Sequence, residues 1–265
     1  MRMILPSAGD ELDDFGIADI YAYPRETWLR ANFVSSADGA AYVDGRSGGL
    51  SSPGDMRIFG LLRVLADVVL VGAGTARIEE YKPARRRDAL ARLREGRPPT
   101  VPIALVSRSL DLDLTTALFT EAPTDARTIV ITCEASPADR RAEIAKVADL
   151  IVAGEAAVDL PQGVGELAKR GLGRVICEGG PHLLGSLAAA DLVDELSLTF
   201  SPALAGPGGS RIIAGPALPA AAKMTLATVL AEDDFLFCRY TTTAGTVGEL
   251  RSRADSRKDP GVSKA

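Results

Sequence analysis

A short apolar run, Arg174-Val175-Ile176-Cys177, leads into Glu178-Gly179-Gly180-Pro181-His182-Leu183, where two glycines precede a helix start. Backbone N–H groups at a helix N-terminus have no partner inside the helix, and the helix dipole makes that end partially positive. Glycines there let a pyrophosphate come close to the chain. Gly179, Gly180, Pro181, His182 and Leu183 are therefore candidates to hold the phosphates of a dinucleotide, although the same pattern also makes a plain strand-to-helix turn. A second stretch repeats the arrangement, with Val68-Val69-Leu70-Val71 ending in Gly72-Ala73-Gly74-Thr75. It is not a full dinucleotide fingerprint, because Arg77 stands where G-x-G-x-x-G needs its third glycine. Two such loops after two strands weigh more than either alone, since open α/β sheets bind ligands beyond the carboxyl ends of their strands.

Three further groupings could do chemistry. Ser107-Arg108 sets a hydroxyl beside a guanidinium, which suits a phosphate monoester such as the 2′-phosphate that separates NADPH from NADH. Asn32-Phe33-Val34-Ser35-Ser36 runs out into Ala37-Asp38-Gly39, where Asp38 serves either a substrate or simply the turn. Gly45-Arg46-Ser47-Gly48-Gly49 fits G-x-S-x-G, the nucleophile elbow of α/β-hydrolases. That elbow needs a strand before the serine and a helix directly after it, whereas Tyr42-Val43-Asp44 precedes Ser47 and the next helix start is Ser52-Pro53. A serine hydrolase acting through Ser47 is thus a remote alternative.

These loops need elements to hold them. Apolar, often β-branched runs predict strands at Trp28–Val34, Val68–Val71, Ile103–Val106, Thr128–Thr132, Leu150–Val152, Arg174–Cys177, Glu195–Phe200, Met224–Leu230 and Phe235–Thr242. Ser52-Pro53-Gly54-Asp55 predicts a helix start, followed by Met56, Phe59, Leu62 and Leu65 at helical spacing. Ser136-Pro137-Ala138-Asp139 repeats that grammar, Pro181 opens a helix capped by Gly180, and Val164–Arg170 forms another. Alternating strands and helices imply an α/β fold with a mostly parallel central sheet flanked by helices, ending in an antiparallel hairpin. Residues 1–26 read as an irregular lead-in, 27–243 as one domain and 244–265 as a disordered tail.

Composition narrows the partners. The chain of 265 residues carries a net charge of −5, which argues against a nucleic-acid protein. No run of eighteen apolar residues and no secretory h-region occurs, so the expectation is a cytoplasmic chain with no membrane partner. Three cysteines, Cys133, Cys177 and Cys238, lie in or beside apolar runs, and with the single histidine His182 they make no zinc motif. No metal is expected.

Taken together, the segments resemble the pyrimidine reductase family of riboflavin biosynthesis, the reductase half of the RibD-type deaminase/reductase. The likeness spans about residues 27–242. It is carried by Ser36-Ala37-Asp38-Gly39, Leu62-Arg63 with Ala66-Asp67, Val71-Gly72-Ala73-Gly74-Thr75, Glu178-Gly179-Gly180-Pro181, Leu192-Val193-Asp194-Glu195 and Ser201-Pro202-Ala203-Leu204-Ala205-Gly206. The resemblance implies a dihydrofolate-reductase-like fold, a homodimer, and NADPH lying on Gly72–Thr75 and Gly179–Leu183 with Ser107 and Arg108 towards the adenosine phosphate. It implies hydride transfer to ribose C1′ of 5-amino-6-(5-phosphoribosylamino)uracil or a related pyrimidine, with substrate near Asn32, Ser36, Ser51, Arg86 and Pro202. Glu178 and Asp38 are the candidate catalytic carboxylates. Glu178 either orients or relays a proton near the reacting carbon, or fixes the glycine turn. Where the family often has Asp-Asp-Pro and then a phosphate-binding arginine, this chain has Glu79-Glu80-Tyr81 and then Arg86. Asn32 stands where bacterial bifunctional enzymes commonly carry lysine, as in archaeal stand-alone reductases, and the zinc motifs of the deaminase half do not occur. A dihydrofolate-like pterin reductase and an NADPH-binding protein without turnover are the alternatives.

Overall fold

The computed structural model describes residues 1–242 apart from Asp10 and Pro219, so the expectation of a disordered 244–265 tail lies outside the described residues. The chain runs β1 (Arg2–Leu5), α1 (Asp14–Ile20), β2 (Trp28–Ser36), α2 (Pro53–Leu65), β3 (Val68–Gly72) and α3 (Ala73–Ile78). Next come β4 (Ile103–Val106), α4 (Ala117–Thr120), β5 (Ile129–Thr132), α5 (Ala138–Val147), β6 (Asp149–Val152) and α6 (Leu160–Lys169). β7 (Arg174–Cys177), α7 (Pro181–Ala189), β8 (Glu195–Ser201), β9 (Met224–Glu232) and β10 (Phe235–Thr242) follow.

All ten strands form one sheet in the order β1-β9-β10-β8-β2-β7-β3-β4-β5-β6. From β8 to β6 every pairing is parallel, and β9–β10 is the antiparallel hairpin expected from the sequence. Helices on both faces explain the unbroken apolar strands. Val69 and Val71 of β3 point to a core built with α1 and α2, while Val68 and Leu70 point to a second core built with α6 and α7. Ser52 caps α2 by accepting from Asp55 N–H at 3.1 Å. Ser136 does not cap α5. Its hydroxyl donates to Arg108 O at 2.6 Å, and Pro137 occupies the cap position with no side-chain bond.

The reading of 1–26 as irregular is overturned. β1 adds to the sheet edge beside β9, and α1 buries Ile17 and Ala18 against α2. Asp13, part of the acidic run that reads as loop, caps α1 by accepting from Gly16 N–H at 2.8 Å, and Asp14 suits the positive end of the helix. Arg57 of α2 then pairs with Asp14 at 2.6 Å.

At the amino ends of β2 and β8 lies a buried charge cluster. Glu195 accepts from Arg30 Nε at 2.6 Å, from Arg239 Nε at 2.9 Å and from Trp28 Nε1 at 2.9 Å. Arg30 and Glu195 are both fully buried, and the Arg30 guanidinium stacks 4.3 Å from the Tyr23 ring. Burial alone would raise the Glu195 carboxyl, but Arg30 and then Arg239 outweigh it and hold it below the usual range. The three cysteines are buried and unpaired. Among the described residues no helix is long and apolar enough to cross a membrane.

Candidate active site

Because β2, β3, β4, β7 and β8 are mutually parallel, their carboxyl ends open on one edge of the sheet. The two glycine loops meet there. Gly72 N–H donates to Gly179 O at 2.8 Å, and Glu178 N–H donates to Leu70 O at 3.0 Å. Gly179 sits at φ +115, a conformation that suits glycine, and the Gly179–Gly180 peptide is cis. A Cβ on Gly180 would fall 2.3 Å from Thr75 Oγ1, so the close approach of the two loops requires glycine. Gly72 is the N-cap of α3 and Gly180 that of α7, and neither helix start carries a side-chain capping bond.

The loops border a cleft of about 750 Å³, lined by Gly72, Gly74, Thr75, Gly180, Pro181, His182 and Leu183, with Tyr42–Gly45 and Ala205–Ser210 opposite. Ala73 begins α3 beside it. Among the described residues no lysine or arginine lines this cleft, so an anion there would be held by main-chain N–H groups. Ser107 and Arg108 stand one strand further out, where β4 lies beside β3 with Val106 opposite Gly72. The Ser107 hydroxyl accepts from Leu110 N–H at 3.0 Å and shapes that exit loop, leaving Arg108 exposed.

A second cavity of about 770 Å³ adjoins the first and shares Tyr42, Thr75 and Glu79 with it. It contains the expected Asn32, Ser51, Arg86 and Glu178. Glu178 is not an open acid. Arg63 Nε and Nη2 grip its two oxygens at 2.7 and 2.6 Å, and the Tyr81 hydroxyl donates to Oε2 at 2.9 Å. Its carboxylate is therefore fixed by side chains, not by the backbone N–H groups of the glycine turn. The Arg63 guanidinium stacks against Phe59 and Tyr81, 4.4 and 5.4 Å from their ring centres. Burial and then the Glu178 charge push the Tyr81 phenol well above its ordinary value.

Ser36, Asp38 and Pro202 are brought together, but at neither cavity. Ser36 Oγ donates to Asp38 and accepts from Ala40 N–H, while Asp38 accepts from Ala205 and Gly206 N–H at 3.1 and 2.8 Å. These donors, Ser36 first, hold the exposed Asp38 carboxyl down to about 2. Asp38 thus joins the β2 exit turn to the loop after β8. Ser36 belongs to the same contact, and Ala37 N–H donates to Ala203 O, the residue after Pro202, at 2.9 Å. Ser47 is no elbow either. It opens a short 3-10 turn, Ser47–Leu50, and its N–H and hydroxyl both donate to Glu79 at 3.0 Å.

Sequence reasoning missed four participants. Asp55 reads as a helix-cap acid, yet it is buried on the cavity wall, accepting from Ser51 Oγ at 2.5 Å and Thr199 Oγ1 at 2.6 Å. Arg63 and Tyr81 grip Glu178 from 115 and 97 residues away, which no local pattern reports. Arg87 is the fourth: its guanidinium lies over Gly60, where a Cβ would come within 2.3 Å of it. Arg94 and Arg97 also border the cavity, but they serve the end of α2, bonding the carbonyls of Val64, Leu65 and Ala66 at 2.6–3.5 Å. Asn32 Oδ1 is buried with no partner among the described residues.

The chain is similar to known proteins over the same span. The family model described as the RibD C-terminal domain matches residues 27–236. The 2,5-diamino-6-ribosylamino-4(3H)-pyrimidinone 5′-phosphate reductase of Archaeoglobus fulgidus is 30% identical over 184 residues, covering 68% of this chain and 82% of that one. Its namesake in Methanothermobacter thermautotrophicus is 28% identical, covering 69% of this chain and 81% of that one. Among solved structures, a pyrimidine reductase-like protein from Corynebacterium diphtheriae superposes with a TM-score of 0.77 at 27% identity, covering 85% of this chain and 97% of that one. With a match across the whole parallel sheet and both glycine loops, the chain belongs to the RibD C-terminal domain family.

Proposed function

We propose that this chain is an NADPH-dependent reductase of a 6-ribosylaminopyrimidine 5′-phosphate in riboflavin biosynthesis, either 5-amino-6-(5-phosphoribosylamino)uracil or its 2,5-diaminopyrimidinone counterpart. One observation carries the reading: the glycine-loop cleft and a cavity bordered by the basic segment 82–87 share a wall at Tyr42, Thr75 and Glu79. A dinucleotide and a phosphorylated substrate could there meet end to end. The activity named for the two archaeal relatives supports the same chemistry.

The residues present fit NADPH, because the Gly180 contact with Thr75 leaves main-chain N–H groups at the starts of α3 and α7 beside the cleft. NADPH supplies a hydride to C1′ of the ring-opened ribose imine. In this reading Gly72–Thr75 and Gly179–Leu183 hold the pyrophosphate, and Arg108 beside Ser107 meets the 2′-phosphate. Asn32 Oδ1, Ser51 and Asp55 receive the amino and ring N–H groups of the pyrimidine. Glu178, oriented by Arg63, accepts one donor of the substrate near the reacting carbon. Lys82, Arg85, Arg86 and Arg87 supply positive charge for the phosphate.

A homodimer in the cytoplasm completes the proposal. The β8–β10–β9 face supports it, because Leu226, Leu236, Phe200, Leu196 and Tyr240 share one side by register, with Leu226 39% and Leu236 41% exposed. The deciding experiment follows NADPH oxidation with each ribosylaminopyrimidine phosphate and with dihydrofolate in parallel. Oxidation with a pyrimidine and none with dihydrofolate is expected. Oxidation with neither, while NADPH still binds, would replace this reading with a binding protein.

A further inference from the structure

A carboxylate has two acceptor sites on each oxygen. At Glu178, Arg63 takes one site on Oε1 and one on Oε2, and the Tyr81 hydroxyl takes a second site on Oε2. No other described group donates to either oxygen, so the acceptor capacity left to the carboxylate lies on Oε1. Tyr81 is placed for this by its own backbone. The chain leaves α3 through Glu80 at φ +52, and Tyr81 N–H returns to Ala76 O at 2.9 Å. That turn carries the ring over the Arg63 guanidinium and into the cavity, where only 1% of the Glu178 side chain is exposed.

We propose that Tyr81 is a positioning residue for Glu178: its hydroxyl closes Oε2, so that a substrate N–H or O–H is received at Oε1 alone, in the plane set by Arg63. The inference rests on the reductase reading and deepens it. With a protonated phenol on Oε2, the substrate has one way to bond the carboxylate and therefore one orientation at the reacting carbon. The charged and titratable groups facing Glu178 are Arg63 from α2, Tyr81 from the loop after α3 and Cys177 on its own strand. Asp55, Glu79, Glu80 and Lys82 line the same cavity.

The test uses the full chain and its Tyr81→Phe variant, with kcat and KM measured on the ribosylaminopyrimidine phosphate. NADPH binding by fluorescence and thermal unfolding are recorded alongside. We expect kcat to fall about tenfold, the order of one hydrogen bond to a charged group. KM and NADPH affinity should stay within about twofold, because the hydroxyl sets orientation rather than binding. Combined with Glu178→Gln, Tyr81→Phe should add nothing further, because the group it positions has gone. An unchanged kcat overturns the proposal, as does a loss of kcat matched by a lower Tm and weaker NADPH binding, or losses that add in the double variant. A wild-type chain that oxidises no NADPH with the pyrimidine sinks the reductase reading itself. An active wild type with an indifferent Tyr81→Phe sinks only this inference.

Discussion

At the scale of single residues, the basic segment after α3 shows how neighbours of one type divide their work. Arg86 bonds Asp88 at 2.6 Å, both side chains being mostly exposed, so this pair is worth little and leaves Arg86 only loosely held. Arg87 instead lies on α2 over Gly60, with no ion-pair partner among the described residues. A guanidinium seated on a helix is better fixed to meet a phosphate than one swinging on the surface. Arg87→Ala should therefore raise the KM of the phosphorylated substrate about tenfold or more, and Arg86→Ala by less, which steady-state kinetics on the two variants will show. A larger effect of Arg86→Ala would return the phosphate to that residue. Position in the sequence pointed to Arg86; only the glycine notch on α2 distinguishes the next residue.

At the scale of elements, the strands and the starts of α2 and α7 were legible because their signals are local. Apolar runs, Ser-Pro and Gly-Pro each act within a turn of where they stand. β1 and α1 were not legible, since β1 is four residues of mixed burial and α1 has a glycine inside it and an acidic run before it. The glycine loops were found, but their mutual bonding was not, because 107 or so residues separate Gly72 from Gly179. That bonding yields a test. Gly180→Ala places a Cβ against Thr75 Oγ1, and overpacking of this kind costs about 1–3 kcal/mol. Urea unfolding should show that loss, with NADPH binding weakened at least tenfold. Adding Thr75→Ala removes the offending oxygen and should recover part of the stability, a non-additive pair. Additive losses would mean that the two loops do not touch as described.

At the scale of the whole molecule, the Arg30–Glu195–Arg239 cluster joins β2, β8 and β10 at the amino ends of the parallel strands. Removing one partner of a buried ion pair leaves uncompensated charge, typically at a cost of about 3–5 kcal/mol. Glu195→Gln should lose that much in urea. The folded carboxyl lies below its unfolded value of about 4.3, so its contribution is present above that pH and fades as pH falls through the folded value. Wild-type stability should drop on acidification below about pH 4, and Glu195→Gln should drop less steeply. Parallel slopes would show that the cluster does not govern acid stability. The two candidate cavities lie at the other edge, on loops drawn from separate stretches of chain between residues 32 and 214. A lineage of such chains can therefore trade one ring or phosphate donor for another, segment by segment, while the charged clasp keeps the sheet whole. The fold's capacity to acquire new substrates is written into the distance between its clasp and its loops.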